Sequence, residues 1–224
     1  MNRNGWRGEA PWHLQHYEGP LAIVVDIGAF TGEFSIAAAE RGAGKVVAFE
    51  PQPDNFRVLS ANVEQFPTIE PWNRAVTADG SDIMLCSAGV VSSTIIVTPG
   101  LPLIQVPSVS FAGVLSSLAM IDYLKIDIEG GEFSLFDQES NEVKRLLVEG
   151  VKFLEVEIHG FSTFPGPRDA MGKYSRLGDA GARDELIRWL QELGFRDEPC
   201  EYRRQHPGAF CSGNHNMRRA VHEG

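Results

Sequence analysis

Three places in the chain put carboxylates beside glycine or histidine at the end of an apolar run. They are Asp26-Ile27-Gly28-Ala29-Phe30-Thr31-Gly32, Asp127-Ile128-Glu129-Gly130-Gly131-Glu132 and Glu155-Val156-Glu157-Ile158-His159. Carboxylates and imidazoles move protons, complement cations and hold divalent metals. His159 belongs to the residue type that titrates near neutrality, so His159 and Asp127 are the candidate general bases. The competing reading for His159 is a hydrogen bond to loop backbone; for Asp127 it is a grip on substrate or on a cofactor's ammonium. Glu157 would orient His159 or close a strand-end salt bridge. Asp127, Glu129, Glu157 and His159 together are also hard oxygen ligands with one imidazole, a set that suits Mg²⁺ or Mn²⁺. Charged strand ends more commonly pair with lysine or water, so the metal ranks second.

The elements that must position these groups start with Leu21-Ala22-Ile23-Val24-Val25, an apolar run of buried-strand type. Asp26 and the pattern D-x-G-x-x-x-G follow, then a helix-favouring Phe34-Ser35-Ile36-Ala37-Ala38-Ala39. Strand, glycine turn and helix open a nucleotide-binding βαβ unit, where glycine allows a sharp turn and close approach to a ligand. The missing middle glycine of G-x-G-x-x-G argues against a dinucleotide pyrophosphate. A compact nucleoside with a carboxylate tail, such as S-adenosylmethionine, suits it better. Lys45 to Glu50 reads as a second strand stopped by Pro51 and Pro53. Glu50 lies about two dozen residues beyond Asp26, near the offset of a ribose-binding acid.

The remaining elements follow in order. A helix opened near Asp54 carries Phe56, Val58, Leu59 and Val63, and Thr68–Thr77 reads as a third strand. Residues 81–86, 94–97 and 103–111 suggest short strands, the last interrupted by Pro107, which makes a β-rich insertion. Ile121–Asp127 is a strand feeding a helix that ends near Val148, and Val151–His159 is another strand. Residues 161–182, rich in glycine, read as a mobile substrate loop; Asp184–Leu193 is an amphipathic helix; strands near 195–202 and 208–214 close the sheet.

At 224 residues and 43% hydrophobic, the chain suits a single domain, 1–224, with an N-terminal arm over 1–19. No run reaches the roughly 20 apolar residues of a membrane span, and the polar arm lacks a signal-type apolar core, so a cytoplasmic protein without a membrane partner is expected. A net charge of −10 disfavours a phosphate backbone, so no nucleic-acid partner is expected. Cys86, Cys200 and Cys211 read as free thiols; with His206 and His215 the last two lack the paired spacing of a zinc site.

Val25-Asp26-Ile27-Gly28-Ala29-Phe30-Thr31-Gly32, Phe49-Glu50-Pro51, Leu124 to Glu132 and Glu157-Ile158-His159 resemble the FkbM-type methyltransferase family in content and order. The likeness spans Ile23 to His159, and Lys-Ile-Asp-Ile-Glu-Gly-x-Glu is its most specific part. Phe30 departs from the family, which more often has Asn there, so no polar contact is expected from that side chain. The resemblance implies a class I, Rossmann-like α/β fold: a mostly parallel seven-stranded sheet with helices on both faces. It implies an S-adenosylmethionine-dependent O-methyltransferase acting on a hydroxyl of a small molecule, sugar or natural product. By position, Asp26, Gly28, Ala29, Phe30, Thr31 and Gly32 would surround the cofactor's amino-acid tail. Glu50 and Pro51 would sit at its ribose, and Asn73, Arg74 and Ala75 near its adenine. Asp127 and Glu129 would line the junction with substrate, with Glu157 and His159 on the substrate side.

Rival functions fit less well. A base N-methyltransferase usually has Asn or Asp before two prolines where this chain has Asp127-Ile128-Glu129-Gly130, and the sole Pro-Cys, Pro199-Cys200, falls too late for cytosine C5 chemistry. A non-catalytic cofactor-binding module and a nicotinamide oxidoreductase would each be told apart by ligand binding. An edge strand in the insertion could pair two copies into a homodimer.

Overall fold

The computed structural model describes residues 14, 17–87, 93–94, 102–136, 140–159, 178–198 and 214–219. The main sheet is built from β1 (Ile23–Ile27), β2 (Lys45–Phe49), β3 (Ile69–Trp72), β9 (Ile121–Ile126), β10 (Val151–Glu157), β11 (Phe195–Glu198) and β12 (Asn214–Arg219). Its seven strands run in the order β11-β12-β10-β9-β1-β2-β3. β12 is antiparallel to both neighbours, and the other pairings are parallel. The chain steps outward from β1 to β2 and β3, then returns to β9 on the other side of β1. That reversal opens a crevice at the carboxyl ends of β1 and β9, where open α/β sheets take ligands.

Side chains alternate across the strands and give each face its own core. Val24, Val46 and Ala48 point one way, with Phe34, Ala38, Leu59 and Val63 of α1 (Glu33–Glu40) and α2 (Pro53–Val63). Val25, Ile27, Val47 and Phe49 point the other way. There they meet α3 (Phe111–Ser116), α5 (Asn141–Gly150) and α6 (Gly178–Glu192). Of the N-terminal arm, Leu14 and Tyr17 are buried in the first core, and Arg41 donates to both of their carbonyls.

Asp122 pins three strands at the amino edge of the sheet. It is buried, accepts from the Ile23 amide at 3.0 Å and takes Lys152 Nζ at 2.6 Å. Asp122→Ala is expected to lower unfolding stability by about 3 kcal/mol, because it strands a buried amide and unpairs a charge. Urea unfolding followed by circular dichroism reads this; an unchanged midpoint contradicts it.

The β-rich insertion is present, and its strands pair separately. β4 (Ala75–Thr77) lies parallel to β8 (Ser108–Ser110), and β5 (Ile83–Ser87) sits between β6 (Ser93–Thr94) and β7 (Leu103–Val106). The expected strand over 68–77 is therefore two. The chain leaves the main sheet at Asn73, whose side-chain amide turns back to donate to the carbonyls of Glu50 and Pro51 at 2.9 and 3.0 Å.

Four other boundaries differ from expectation. The helix expected between Glu132 and Val148 is two, α4 (Glu132–Leu135) and α5. Phe136 leaves helical geometry to pack on Phe111 and Trp189, and Ser140 caps the new start. α6 begins at Gly178 rather than Asp184, because Ala182 extends the buried stripe of Leu186, Trp189 and Leu190 by one turn. Of the loop expected over 161–182, residues 161–177 lie outside the described residues. α2 starts at Pro53, just before the expected Asp54, and the nearby polar residue Gln52 caps it, accepting from the Asn55 amide at 2.8 Å. The last described strand, Asn214–Arg219, runs past the expected end at 214, and residues 208–213 lie outside the described residues. Cys86 is buried, while Cys200, His206 and Cys211 lie outside the described residues. No helix among the described residues is long and apolar enough to cross a membrane.

Candidate active site

The turn after β1 is clamped to its neighbours through backbone. The amides of Gly28 and Ala29 both donate to the Phe49 carbonyl, at 3.0 and 2.9 Å, and the Asp127 amide donates to Ile27. Gly28 has φ +86°, and a Cβ there would stand 1.7 Å from the Asp127 carbonyl oxygen. The glycine is thus required by the approach of β9, not only by room for a ligand. Gly32 heads α1 in the left-handed region, against Leu59.

A cavity of about 590 Å³ opens at the carboxyl ends of β1, β2 and β9. Of the expected cofactor residues, Gly28, Phe30, Glu50, Pro51, Arg74, Ala75 and Asp127 line it, and Glu129 does as well. Asp26, Ala29, Thr31, Gly32, Asn73, Glu157 and His159 are not on its wall. Asp26 lies beneath the turn, fully buried, accepting from Ser35 Oγ at 2.6 Å. Asn73 is a strut for the Glu50-Pro51 backbone. Thr31 contacts Glu33 and accepts from Asn62 through its carbonyl. Sequence reasoning missed the wall formed by Val76 to Asp79 with Ile83 and Leu85, because the insertion brings it there.

Glu50 is the most heavily used acid of the wall. One carboxylate oxygen accepts from the Phe30 amide at 2.9 Å, and the other from the Gln52 amide at 2.9 Å and the Asn55 side chain at 3.5 Å. Burial outweighs these bonds and pushes its pKa up to about 7. Phe30 holds φ +50°, a conformation Asn tolerates and an aromatic side chain rarely adopts, which rationalises the family's usual residue there.

Lys125 is buried under the same turn. Its ammonium lies 3.4 Å from Asp127, 3.7 Å from Asp26 and 3.5 Å from the Gly28 carbonyl. Burial opposes the charge, yet Asp127 and Asp26 hold its pKa above the ordinary range. The expected shared face of Lys125, Asp127 and Glu129 ends with the strand at Ile126, and Glu129 is swung aside at φ +52°.

That swing brings Glu129 to His159. His159 Nε2 stands 3.5 Å from Glu129, 3.8 Å from Glu157 and 3.9 Å from Asp127, while Nδ1 lies 2.9 Å from Glu132. The orienting partner is therefore Glu132, and Glu157, one of whose two expected roles was to orient the ring, stands farther off beside Nε2. Glu132 is fully buried and also accepts from the amides of Ile128 and Gly130. Its place in the acidic motif, three residues after Glu129, was the available signal. Burial opposes a charge on the imidazole, but the Glu132 hydrogen bond and the surrounding carboxylates push its pKa up to about 9. His159 thus carries a proton at neutral pH, rather than titrating there.

The family model for the methyltransferase FkbM domain matches residues 26–196, which covers every group described above. The chain belongs to the FkbM methyltransferase family. The family model is that of a methyltransferase domain, and the mostly parallel seven-stranded sheet is Rossmann-like. Solved structures of similar fold include the Methanococcus jannaschii fibrillarin pre-rRNA processing protein, at 12% identity, 88% of this chain, 64% of that chain and TM-score 0.48. Another is Aeropyrum pernix fibrillarin with natively bound S-adenosyl-L-methionine, at 11%, 89%, 66% and 0.46. The ribosomal protein L11 methylase of Lactobacillus delbrueckii subsp. bulgaricus gives 11%, 94%, 77% and 0.48. The chain spans under two thirds of the length of either fibrillarin. No curated protein matches it.

Proposed function

We propose that this FkbM domain is an O-methyltransferase that moves the methyl group of S-adenosylmethionine to a hydroxyl of a small molecule, sugar or natural product. The observation that carries the reading is the cavity at the switch point of the sheet, where Glu50 on one side and Asp127 with Glu129 on the other flank an apolar floor. Its volume is that of an ordinary small-molecule site. The donor set fits the cofactor. Glu50 can accept from ribose hydroxyls, Arg74 and Ala75 adjoin the adenine position, and the acids complement a sulfonium.

The bound cofactor supplies a methyl group activated by a positively charged sulfur. The chain has to orient the acceptor in line with it and take up the hydroxyl proton. Asp127 lines the cavity and is the proton acceptor in this reading. His159 is already protonated in the ligand-free protein, so it serves as a positioning residue and counter-charge for the carboxylates, and Glu157 stands beside it on the substrate side. A hydroxyl rather than a base as acceptor is supported by the acidic net charge of −10. Labelled methyl donor tested against sugar, polyketide and lipid hydroxyls should give an O-methyl product. Transfer only to nucleic acid, or to nothing, would overturn the reading.

Glu50 makes cofactor binding sensitive to pH. Its folded pKa of about 7 lies above the ordinary 4.5, so its contribution to folding is full below about 4.5 and is lost as pH rises through about 7. A ligand that donates to its carboxylate works the other way and favours the ionised form. Calorimetric affinity for S-adenosylhomocysteine is expected to tighten about tenfold from pH 6 to pH 8, with that slope absent in Glu50→Gln. An equal slope in both proteins would remove Glu50 from the ribose.

A further inference from the structure

We propose that Asp127, Glu129 and His159 form a binding site for a divalent transition-metal ion at the edge of the cavity, with the two carboxylates on its wall and the imidazole behind them. Each offers one ligand atom, and these three atoms all lie within 4.8 Å of one another. Nε2 is 3.5 Å from Glu129 and 3.9 Å from Asp127, too far for good hydrogen bonds. Atoms bound about 2.1 Å from one ion stand roughly 3.0 to 3.6 Å from each other. The two gaps from Nε2 match that separation to within a few tenths of an ångström, and the two carboxylates lie no more than 4.8 Å apart, so side-chain rotation is what the set needs to close on an ion.

The second observation lies behind the ring. Metal-binding histidines almost always donate the other ring N–H to a carboxylate or carbonyl, which fixes the tautomer and aims the free nitrogen. Here Nδ1 meets Glu132 at 2.9 Å, and Glu132 is itself fixed by the Ile128 and Gly130 amides at 3.1 and 3.2 Å. Glu132 is fully buried, so this support costs a buried carboxylate whose one side-chain duty is to hold the imidazole. An imidazole among carboxylates favours Mn²⁺, Fe²⁺, Co²⁺ or Zn²⁺ over Mg²⁺ or Ca²⁺. A bound cation takes the place of the Nε2 proton that the ligand-free imidazole carries among these carboxylates, where Glu157 approaches to 3.8 Å, and that proton leaves to solvent.

Asp127 and Glu129 line the cavity, so the ion's remaining positions face it. There it would take the acceptor's oxygen and lower its pKa. This deepens the O-methyltransferase reading and rests on it for its role, but the site itself can be tested without any methyl donor.

The full chain, stripped by chelator and then freed of it, is titrated with Mn²⁺ alone while free ion is followed by electron paramagnetic resonance. One ion per chain is expected. Its affinity should fall at least about tenfold in Glu129→Gln and in His159→Gln, and roughly 10- to 100-fold in the positioning variant Glu132→Gln. Glu149→Gln, on the exposed face of α5, should match the parent. Nitrogen hyperfine coupling on the bound Mn²⁺ gives a readout that survives if a variant fails to fold. Absence of a one-to-one site at millimolar Mn²⁺, equal affinity in all variants, or bound ion without nitrogen coupling would each overturn the proposal. Cofactor calorimetry on the chelated protein is independent: its failure sinks the methyl-transfer reading and leaves the Mn²⁺ result standing.

Discussion

Gly28→Ala is expected to cost the fold about 4 kcal/mol or more, and to leave little folded protein at 37 °C. Two effects add. A side chain at φ +86° is strained by about 1–3 kcal/mol even in empty space. The new Cβ would also overlap the Asp127 carbonyl oxygen at 1.7 Å. Asp127 is held close, because its own amide bonds to the Ile27 carbonyl and β9 just before it is paired to β1 on one side and β10 on the other. Relief requires pushing β1 and β9 apart at the end where the cavity opens. Gly42→Ala is the matched control: φ there is +89°, but nothing lies within 4 Å of the added methyl. It should cost only the backbone strain. Denaturant unfolding of the two variants separates the terms. Equal losses would mean that the close approach of Gly28 to β9 is not what the glycine is for.

Asp127→Asn is expected to lower turnover by about 10²- to 10⁴-fold while cofactor affinity stays within tenfold. The asymmetry follows from position. Asp127 sits on the cavity wall at the end of β9, across from Glu50, and its carboxylate is partly exposed to the cavity. The amide keeps the shape but accepts no proton and gives up the contact with Lys125. Lys125 retains Asp26 at 3.7 Å, so the fold should survive. His159→Ala should also lose turnover with cofactor binding kept, by a smaller factor, since its imidazolium positions and offsets charge. Steady-state rates with calorimetric affinities test both. Near-full turnover in the two variants would take the chemistry away from this cluster.

Much of the frame is legible in the residue order for a simple reason. β1 and β2 are buried on both faces and read as short apolar runs, β9 and β10 are β-rich segments with a few charges set among apolar residues, and each is followed by an acid or a turn that breaks it. Asp26, Glu50 and Asp127 could be placed at strand ends because that break is abrupt. Contacts between elements are another matter. Glu132 and His159 lie 27 residues apart and meet only because β9 and β10 are neighbours in register. Periodicity reports which face of a strand is buried; it does not say which of four nearby carboxylates will reach an imidazole. The protonation of His159 depends on that choice, so it was not legible either. The insertion was legible as a β-rich segment, but its pairing was not. Its strands are two to five residues long and pair out of sequence order, β4 with β8, so no local pattern points to the wall that Val76, Ile83 and Leu85 give the cavity. Asn73 shows the same limit on one residue. Its position beside Arg74 suggested the adenine, and its amide is instead spent on two carbonyls of the Glu50-Pro51 turn.

The most direct test is a crystal structure of the protein soaked with S-adenosylhomocysteine. The nucleoside should lie in the cavity between the Gly28 turn and the insertion, with its ribose on Glu50 and its sulfur turned toward Asp127. Ligand density elsewhere on the molecule, or a ribose held by groups other than Glu50 with the sulfur facing away from Asp127, would contradict it.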